Sequence, residues 1–149
     1  MNEETFKLRE EELSFFLSRL TSIITESLVK NQYPCILLSG ELGAGKTTLV
    51  REWLKHVGSK DQANSPTFSL HQIYEWNQNS IHHFDLYRIK DSSEIDELGF
   101  SEIWGHEGIS FIEWWNLAEQ QIPREGRIYI AIQSISPETR TYSVRSEIL

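Results

Sequence analysis

The chain has 149 residues, 39% of them hydrophobic and 24% charged, which is enough for one buried core and too little for two comfortable domains. Its 22 acidic residues outnumber 14 basic ones, and the net charge of −8 disfavours tight autonomous binding to nucleic acid because an acidic surface repels phosphate groups. No apolar run approaches the roughly 18 residues of a membrane span, so we expect one soluble domain over residues 1–149 and no membrane partner.

A helix is predicted over residues 10–30, because apolar residues recur there every three or four positions. The members of this apolar stripe are Leu13, Phe16, Leu17, Leu20, Ile24 and Leu28. The glutamates at 10–12 suit the first turn, where negative charge interacts favourably with the helix dipole. The acidic segment before the helix lacks the apolar stretch of a secretory signal peptide, which favours a cytoplasmic protein.

A phosphate-binding loop is predicted at 40–48, where GELGAGKTT fits the pattern G-x-x-x-x-G-K-[ST]. An apolar run at 35–38 before it indicates a buried strand, and helical spacing of apolar residues follows it at 49–57. A glycine-rich turn that contains Lys-Thr by chance is the alternative, and the strand and helix on either side argue against it. Cys35, the single cysteine, reads as a buried thiol in a reducing compartment.

Each position of the loop has a chemical reason. Gly40, Gly43 and Gly45 let the backbone curl with positive φ and bring N–H groups close to phosphate oxygens. Lys46 can reach the outer phosphates, and the Thr47 hydroxyl can ligate Mg²⁺. The helix that begins near Thr47 directs the positive end of its dipole at the same oxygens.

The middle of the chain predicts an antiparallel hairpin. A polar loop at 59–66 leads into an alternating segment that extends to residue 76, and a turn cluster at 77–80 separates it from a second strand at 81–87. Asp85 falls at the end of that second strand. Acids at strand ends can reach a phosphate-bound metal, because ligand sites of α/β sheets lie off the carboxyl ends of the strands.

The last third predicts short elements. Residues 92–98 suit a helix that Gly99 ends, and the apolar run at 109–112 suits a core strand that ends in Glu113. The remaining expectations are a helical turn at 116–121, a strand at 127–132 and a final hairpin strand at 141–148.

Five side chains have two readings each. Asp85 and Glu113 either hold Mg²⁺ and orient water or are solvated carboxylates at strand ends. Thr67 is either a switch residue that senses the γ-phosphate or an ordinary strand threonine. His82 and His83 look like a metal pair, but adjacent strand residues face opposite sides, which favours structural roles.

Taken in order, the segments GELGAGKTT, SPTFSL, HFDLYRI, ELGF and IEW resemble the TsaE (YjeE) family of bacterial ATPases required for threonylcarbamoyladenosine modification of tRNA. The resemblance covers roughly residues 36–115. It implies a single-domain P-loop α/β fold with a central mixed sheet flanked by helices. It also implies Mg²⁺-dependent ATP hydrolysis and a TsaB–TsaD heterodimer as partner, with tRNA contacted only indirectly through that complex.

The resemblance also implies roles for individual residues. Lys46 would bind phosphate, and Thr47 and Glu113 would ligate Mg²⁺. Asp85 would position the hydrolytic water, and Thr67 would belong to a switch loop. The nucleotide-binding residues implied by the match are Glu11, Gly43, Ala44, Gly45, Lys46, Thr47, Thr48, Asp85, Trp114 and Arg140. Of these, Trp114 would support the site beside Glu113.

One departure concerns the loop after the site, where this chain has Trp115-Asn116 and the family usually has Pro or Ala after Glu-Trp. An arginine finger could come from Arg88, from Arg140 or from a partner. Two other function classes stay open at this point: a nucleotide-gated binding module that needs no hydrolysis, and a P-loop small-molecule kinase. The kinase is disfavoured because the sequence shows no Arg-rich helical lid segment.

Overall fold

The computed structural model describes residues 1–60 and 70–149. Its strands are β1 (Asn2–Arg9), β2 (Cys35–Ser39), β3 (His71–Trp76), β4 (Asn79–Asp85), β5 (Ile109–Glu113), β6 (Arg127–Ser136) and β7 (Thr139–Ser146). Its α-helices are α1 (Leu13–Val29), α2 (Lys46–His56) and α3 (Ser93–Glu97). Short 3-10 helices cover Glu10–Glu12, Phe100–Glu102 and Trp115–Gln121. Within these two ranges, none of the helices has the length and apolar character needed to cross a bilayer.

All these strands form one mixed sheet in the order β1-β7-β6-β2-β5-β4-β3. Strands β6, β2, β5 and β4 are mutually parallel, whereas β3, β7 and β1 pair antiparallel with their neighbours. The carboxyl ends of β2, β5 and β4 therefore lie side by side at one edge of the sheet. In α/β sheets that edge is where ligands bind.

The core lies on both faces of the sheet, as predicted for a sheet flanked by helices. Helices α1 and α2 cover one face, where Trp53 of α2 packs 5.2 Å from the ring of Phe111 on β5. Helix α3 and the 3-10 helices at Phe100–Glu102 and Trp115–Gln121 cover the other, where Phe84 of β4 lies 5.4 Å from the ring of Trp104. Successive residues of each strand alternate between these layers.

Strand β1 was not predicted from the sequence, and the first helix begins later than expected. The segment 2–9 is rich in exposed polar residues, and its pairing with β7 places it at the sheet edge, with Leu8 opposite Arg140. The α-helix starts at Leu13 rather than at residue 10, because the glutamates at 10–12 form a 3-10 turn. Glu12 Oε1 accepts a hydrogen bond of 3.0 Å from the backbone N–H of Arg9, which closes that turn.

The predicted hairpin of β3 and β4 is confirmed, with a tighter turn than expected. Asn77 and Gln78 form a two-residue connection with φ values of 49° and 66°, and β4 begins at Asn79. Such positive values suit a turn that follows the twist of the strands. The predicted start of the first strand, including Thr67, lies outside the described residues. The final hairpin is also confirmed, with β6 extending to Ser136 and β7 starting at Thr139.

Candidate functional site

The predicted phosphate loop connects β2 to α2 at the carboxyl edge of the sheet. Gly45 immediately precedes α2 with φ of 111°, which residues with a Cβ rarely adopt. Gly40 approaches β6 so closely that a Cβ there would lie 2.8 Å from the carbonyl oxygen of Ile132. Ala44 is buried and donates its N–H to the Glu41 carbonyl at 2.9 Å. The conformation of the loop therefore requires glycine at positions 40 and 45, and the buried Ala44 holds the loop against the protein.

Lys46 lies in the first turn of α2 and points back across the loop. Its ammonium donates to the carbonyl oxygens of Gly40 and, at 3.3 Å, of Glu41. The same nitrogen lies 4.1 Å from the centre of the Trp114 ring, within cation–π range. Burial lowers the pKa of Lys46, and the carboxylates of Glu113 and Asp85 act in the opposite direction.

Glu113 ends β5 with a buried carboxylate that meets the phosphate loop. Its Oε2 accepts a hydrogen bond of 2.8 Å from the hydroxyl of Thr47. The same oxygen lies 2.5 Å from Nε2 of His83 on β4. A buried carboxylate needs such partners, because an unpaired one would lose its hydration without compensation.

Asp85 ends β4 directly opposite Glu113 on β5. Its Oδ1 accepts a hydrogen bond of 3.1 Å from the backbone N–H of Tyr87. Burial is the main reason why the pKa of Asp85 is raised, and the charge of Glu113 raises it further. The hydrogen bond from Tyr87 and the charges of His83 and Lys46 lower it and offset part of that effect.

The segment after Glu113 is held in a special conformation. Trp114 has φ of 57° and ψ of 43°, an unusual region for a bulky residue. Its ring lies 5.0 Å from that of Tyr87 and over the Lys46 ammonium. Trp115, the departure from the family pattern, donates its indole N–H to Ser39 Oγ at 3.1 Å. The unusual residue therefore ties this segment to the end of β2.

A cavity of about 250 Å³ brings most of the predicted residues together. From the loop side it is lined by Gly43, Gly45, Lys46, Thr47 and Thr48. Asp85, Glu113 and Arg140 on other strands line it as well, together with Trp114 directly after β5. Ala44 does not line it. Tyr87 and Leu42, which the sequence reasoning did not select, do.

A larger cavity of about 570 Å³ adjoins the first and shares Gly45, Thr48 and Arg140 with it. Glu11 lines this second cavity, so the structure separates it from Glu113 and Asp85. The Arg140 guanidinium lies beside the loop, 3.6 Å from where a Cβ of Gly45 would be. Arg88 is exposed and lines neither cavity.

The donor set fits Mg²⁺ held jointly with phosphates. The Thr47 hydroxyl and the Glu113 carboxylate are hard oxygen donors 2.8 Å apart, which Mg²⁺ prefers, and phosphate and water commonly complete its shell. In residues 1–60 and 70–149, no group of three or more His, Cys, Asp or Glu side chains is arranged to hold a metal. The described residues therefore offer two ligands for a metal that phosphate oxygens also bind, rather than a metal site formed by protein side chains alone.

The contact between His83 and Glu113 was not predicted from the sequence. The expectation of structural roles for both histidines rested on their facing opposite sides, and they do: His82 bonds to His71 at 2.8 Å on the far layer. His83, however, shares a face with Asp85 two residues further along β4 and reaches Glu113. The i, i+2 spacing to Asp85 was the signal that could have identified it.

Over residues 9–142 the chain matches the model of a protein family described as threonylcarbamoyl adenosine biosynthesis protein TsaE. It is 43% identical to the tRNA threonylcarbamoyladenosine biosynthesis protein TsaE of Rickettsia felis, over 64% of this chain and 55% of the relative. The corresponding Bacillus subtilis protein is 36% identical over 70% of this chain and 65% of its own length. The matched stretches thus span less than two thirds of these two relatives. A Rickettsia bellii relative is 30% identical over 99% of this chain and 97% of its own length.

The fold has a counterpart among solved structures. The crystal structure of Bacillus subtilis YdiB matches 96% of this chain and 84% of that protein, with a TM-score of 0.66 and 23% sequence identity. This likeness bears out the predicted fold class, a mixed α/β domain of the P-loop type. Since the family model covers most of the sequence and includes the phosphate loop, Asp85 and Glu113, the chain belongs to the TsaE family.

Proposed function

We propose that the chain is a Mg²⁺-dependent ATPase that supports threonylcarbamoyladenosine modification of tRNA by binding and resetting a TsaB–TsaD complex. Family membership supports the process, because the relatives carry that biosynthesis in their names. The ATPase activity and the partner are supported by the site and by the resemblance of its motifs.

One observation carries the proposal: the ends of three neighbouring strands bring a lysine, a hydroxyl and two carboxylates to one cavity. Lys46 and Thr47 come from the loop after β2, Glu113 from β5 and Asp85 from β4. This is the set that phosphoryl transfer to water needs, because catalysis there consists mainly of positioning and of stabilising negative charge.

We assign the phosphates to the smaller cavity and the nucleoside to the larger one. Lys46 then exchanges its contacts with the Gly40 and Glu41 carbonyls for phosphate oxygens, while Trp114 limits its position from the other side. When bound, Mg²⁺ neutralises charge on the phosphates. Arg140 lines both cavities and can contact the nucleotide between them, and Glu11 lies on the nucleoside side.

Asp85 is the residue we assign to the attacking water. It faces the cavity opposite Glu113, and its raised pKa makes the carboxylate a better proton acceptor than an ordinary aspartate. Glu113 is already engaged by Thr47 and His83 and is therefore better placed to hold the metal than to move a proton. Thr67 remains a proposed switch residue.

The test is phosphate release by the full chain, with and without Mg²⁺ and with and without purified TsaB–TsaD. We expect slow turnover alone and faster turnover with the partner, which can complete the site; an arginine finger supplied by a partner accelerates such a site by roughly 10³–10⁵-fold. Fast unassisted hydrolysis would contradict the partner's role. Stimulation of tRNA modification by a non-hydrolysable ATP analogue would favour the nucleotide-gated binding module instead.

The isolated chain should not bind tRNA tightly. Its net charge of −8 leaves few basic groups to neutralise phosphates, so the electrostatic contribution to RNA binding is missing. A gel shift at physiological salt should show no retardation with the chain alone and a shift with TsaB–TsaD present. Submicromolar binding by the chain alone would overturn the indirect role that we assign to tRNA.

Asp85→Asn should lower turnover while leaving Mg²⁺–ATP binding largely intact, because orienting water acts mainly on the barrier. It should also stabilise the nucleotide-free protein at neutral pH. Because the pKa of Asp85 is higher in the folded than in the unfolded protein, the free energy of unfolding falls as pH rises from the unfolded value of 3.8 through the folded one. Asparagine does not ionise and so removes this loss of stability. Turnover, calorimetric affinity and thermal unfolding at pH 7 and pH 4 measure the three effects. A matching loss of Mg²⁺-dependent binding would make Asp85 a metal ligand.

A further inference from the structure

His83 is a buried side chain that lines neither cavity but contacts a carboxylate of the candidate site. It lies on β4, and its side chain is 2% exposed. Its Nε2 is 2.5 Å from Oε2 of Glu113, whose side chain is 4% exposed. With Glu113 ionised, the carboxylate can only accept, so the His83 Nε2–H is the donor of this bond.

Two donors from two different elements converge on the same carboxylate oxygen. The His83 Nε2–H approaches from β4, and the Thr47 hydroxyl approaches from α2 at 2.8 Å. Together they restrict the torsions of the Glu113 side chain in a way that neither could alone. Fixing a ligand in this manner matters for Mg²⁺, which tolerates little deviation from octahedral geometry.

The backbone beneath these side chains belongs to two paired strands in the interior of the sheet. His83 is paired with Phe111 and Asp85 with Glu113 in the parallel β4–β5 ladder, so the donor and the acceptor are two residues apart in register. Phe111 packs against Trp53 of α2, which fixes the layer that these side chains face. Residues on central strands hold a site more precisely than residues on loops do.

We propose that His83 is a positioning residue that holds the Glu113 carboxylate in the orientation in which it meets Mg²⁺ beside Thr47. The inference rests on the function proposed above. It differs from a purely structural role, in which His83 would only satisfy a buried carboxylate and any loss would appear as lower stability. Groups that orient a metal ligand typically change metal affinity by about 10–100-fold when they are removed.

The decisive comparison is His83→Gln against His83→Asn in the full chain. Both variants are neutral and polar, but the Gln amide nitrogen reaches about as far as Nε2 of histidine, whereas the Asn amide is too short to reach Glu113. We would measure ATP affinity by calorimetry over a range of Mg²⁺ concentrations and in EDTA. Thermal unfolding of each variant without nucleotide would be recorded in parallel.

We expect His83→Asn to raise the Mg²⁺ concentration for half-maximal enhancement of ATP binding by about 10–100-fold. His83→Gln should restore most of that shift, and affinity in EDTA should be the same for all variants. His82→Asn is the matched control, because His82 is its neighbour, is also buried and faces the other layer. It should change stability without moving the Mg²⁺ requirement.

Two results would overturn the inference while leaving the proposed function intact. One is an unchanged Mg²⁺ requirement in His83→Asn, and the other is an equal shift in the Gln, Asn and His82 variants. Failure of the proposed function looks different, because the unmodified chain would then show no Mg²⁺-dependent ATP binding at all.

Discussion

Lys46→Ala should abolish ATP hydrolysis and weaken ATP binding by roughly 10–150-fold, the equivalent of about 1.5–3 kcal/mol for a lost charge-assisted contact. The fold should tolerate the change. Burial lowers the pKa of Lys46, so the charged amine is less favourable in the folded protein than in water, and its removal relieves that cost. Calorimetry with ATP and thermal unfolding of the same preparation measure both effects.

The control for this variant is Lys30→Ala, which removes an exposed lysine paired with Glu26 at 3.8 Å near the end of α1. An exposed pair of this kind contributes little to stability, and Lys30 lines neither cavity. Affinity and turnover should stay at the unmodified level. If Lys46→Ala behaved like Lys30→Ala, the assignment of the phosphate loop would have to be withdrawn.

Glu113→Gln should weaken Mg²⁺ binding, so that Mg²⁺ at its usual concentration no longer enhances ATP binding and most of the turnover is lost. The substitution keeps the shape of the side chain but replaces a charged oxygen ligand by an amide. We expect the Mg²⁺ requirement to rise by at least the roughly 10–100-fold seen for groups that only orient a ligand. Titration of Mg²⁺ into the ATP-bound variant, monitored by calorimetry, gives the value directly.

The contrast with Asp85→Asn makes the Glu113 prediction specific. The two carboxylates are register partners on β4 and β5 and face the same cavity, so a general electrostatic effect would change both variants alike. Glu97→Gln, an exposed substitution on α3, controls for charge alone. If Glu113→Gln kept the normal Mg²⁺ requirement and lost only turnover, Glu113 would act on the water rather than on the metal.

The convergence of the candidate site residues could be predicted because they lie in one contiguous pattern or at strand ends. The loop from Gly40 to Thr48 carries a complete pattern, and Asp85 and Glu113 each end an apolar run. Parallel pairing then brings strand ends to one edge. The spacing of His83 to Asp85 shows that the two side chains share a face, but the contact of His83 with Glu113 depends on strand register and side-chain reach, which one sequence does not give.

The fold was harder to predict where backbone pairing with a distant strand, rather than the amino-acid composition of a segment, determines its conformation. The segment of β1 has a polar, glutamate-rich sequence and buries mainly Leu8, so its strand conformation comes from the backbone ladder with β7. The start of α1 depended on the local bond between Arg9 and Glu12. Arg140 was selected by resemblance, and its place between the cavities depends on the pairing of β7 with both β1 and β6.

The pairing of β1 with β7 has a consequence for how the protein forms during translation. The two strands stand at opposite ends of the described chain, so β1 leaves the ribosome long before β7 exists. Contacts this distant in sequence form slowly, because the entropy of closing a long loop is lost before the hydrogen bonds between the strands can compensate for it. Leu8 is opposite Arg140, so the arginine reaches its final position only when the last hairpin has docked. In the site proposed above, a nascent chain whose phosphate loop has already formed must therefore wait for β7 before Arg140 can contact a nucleotide.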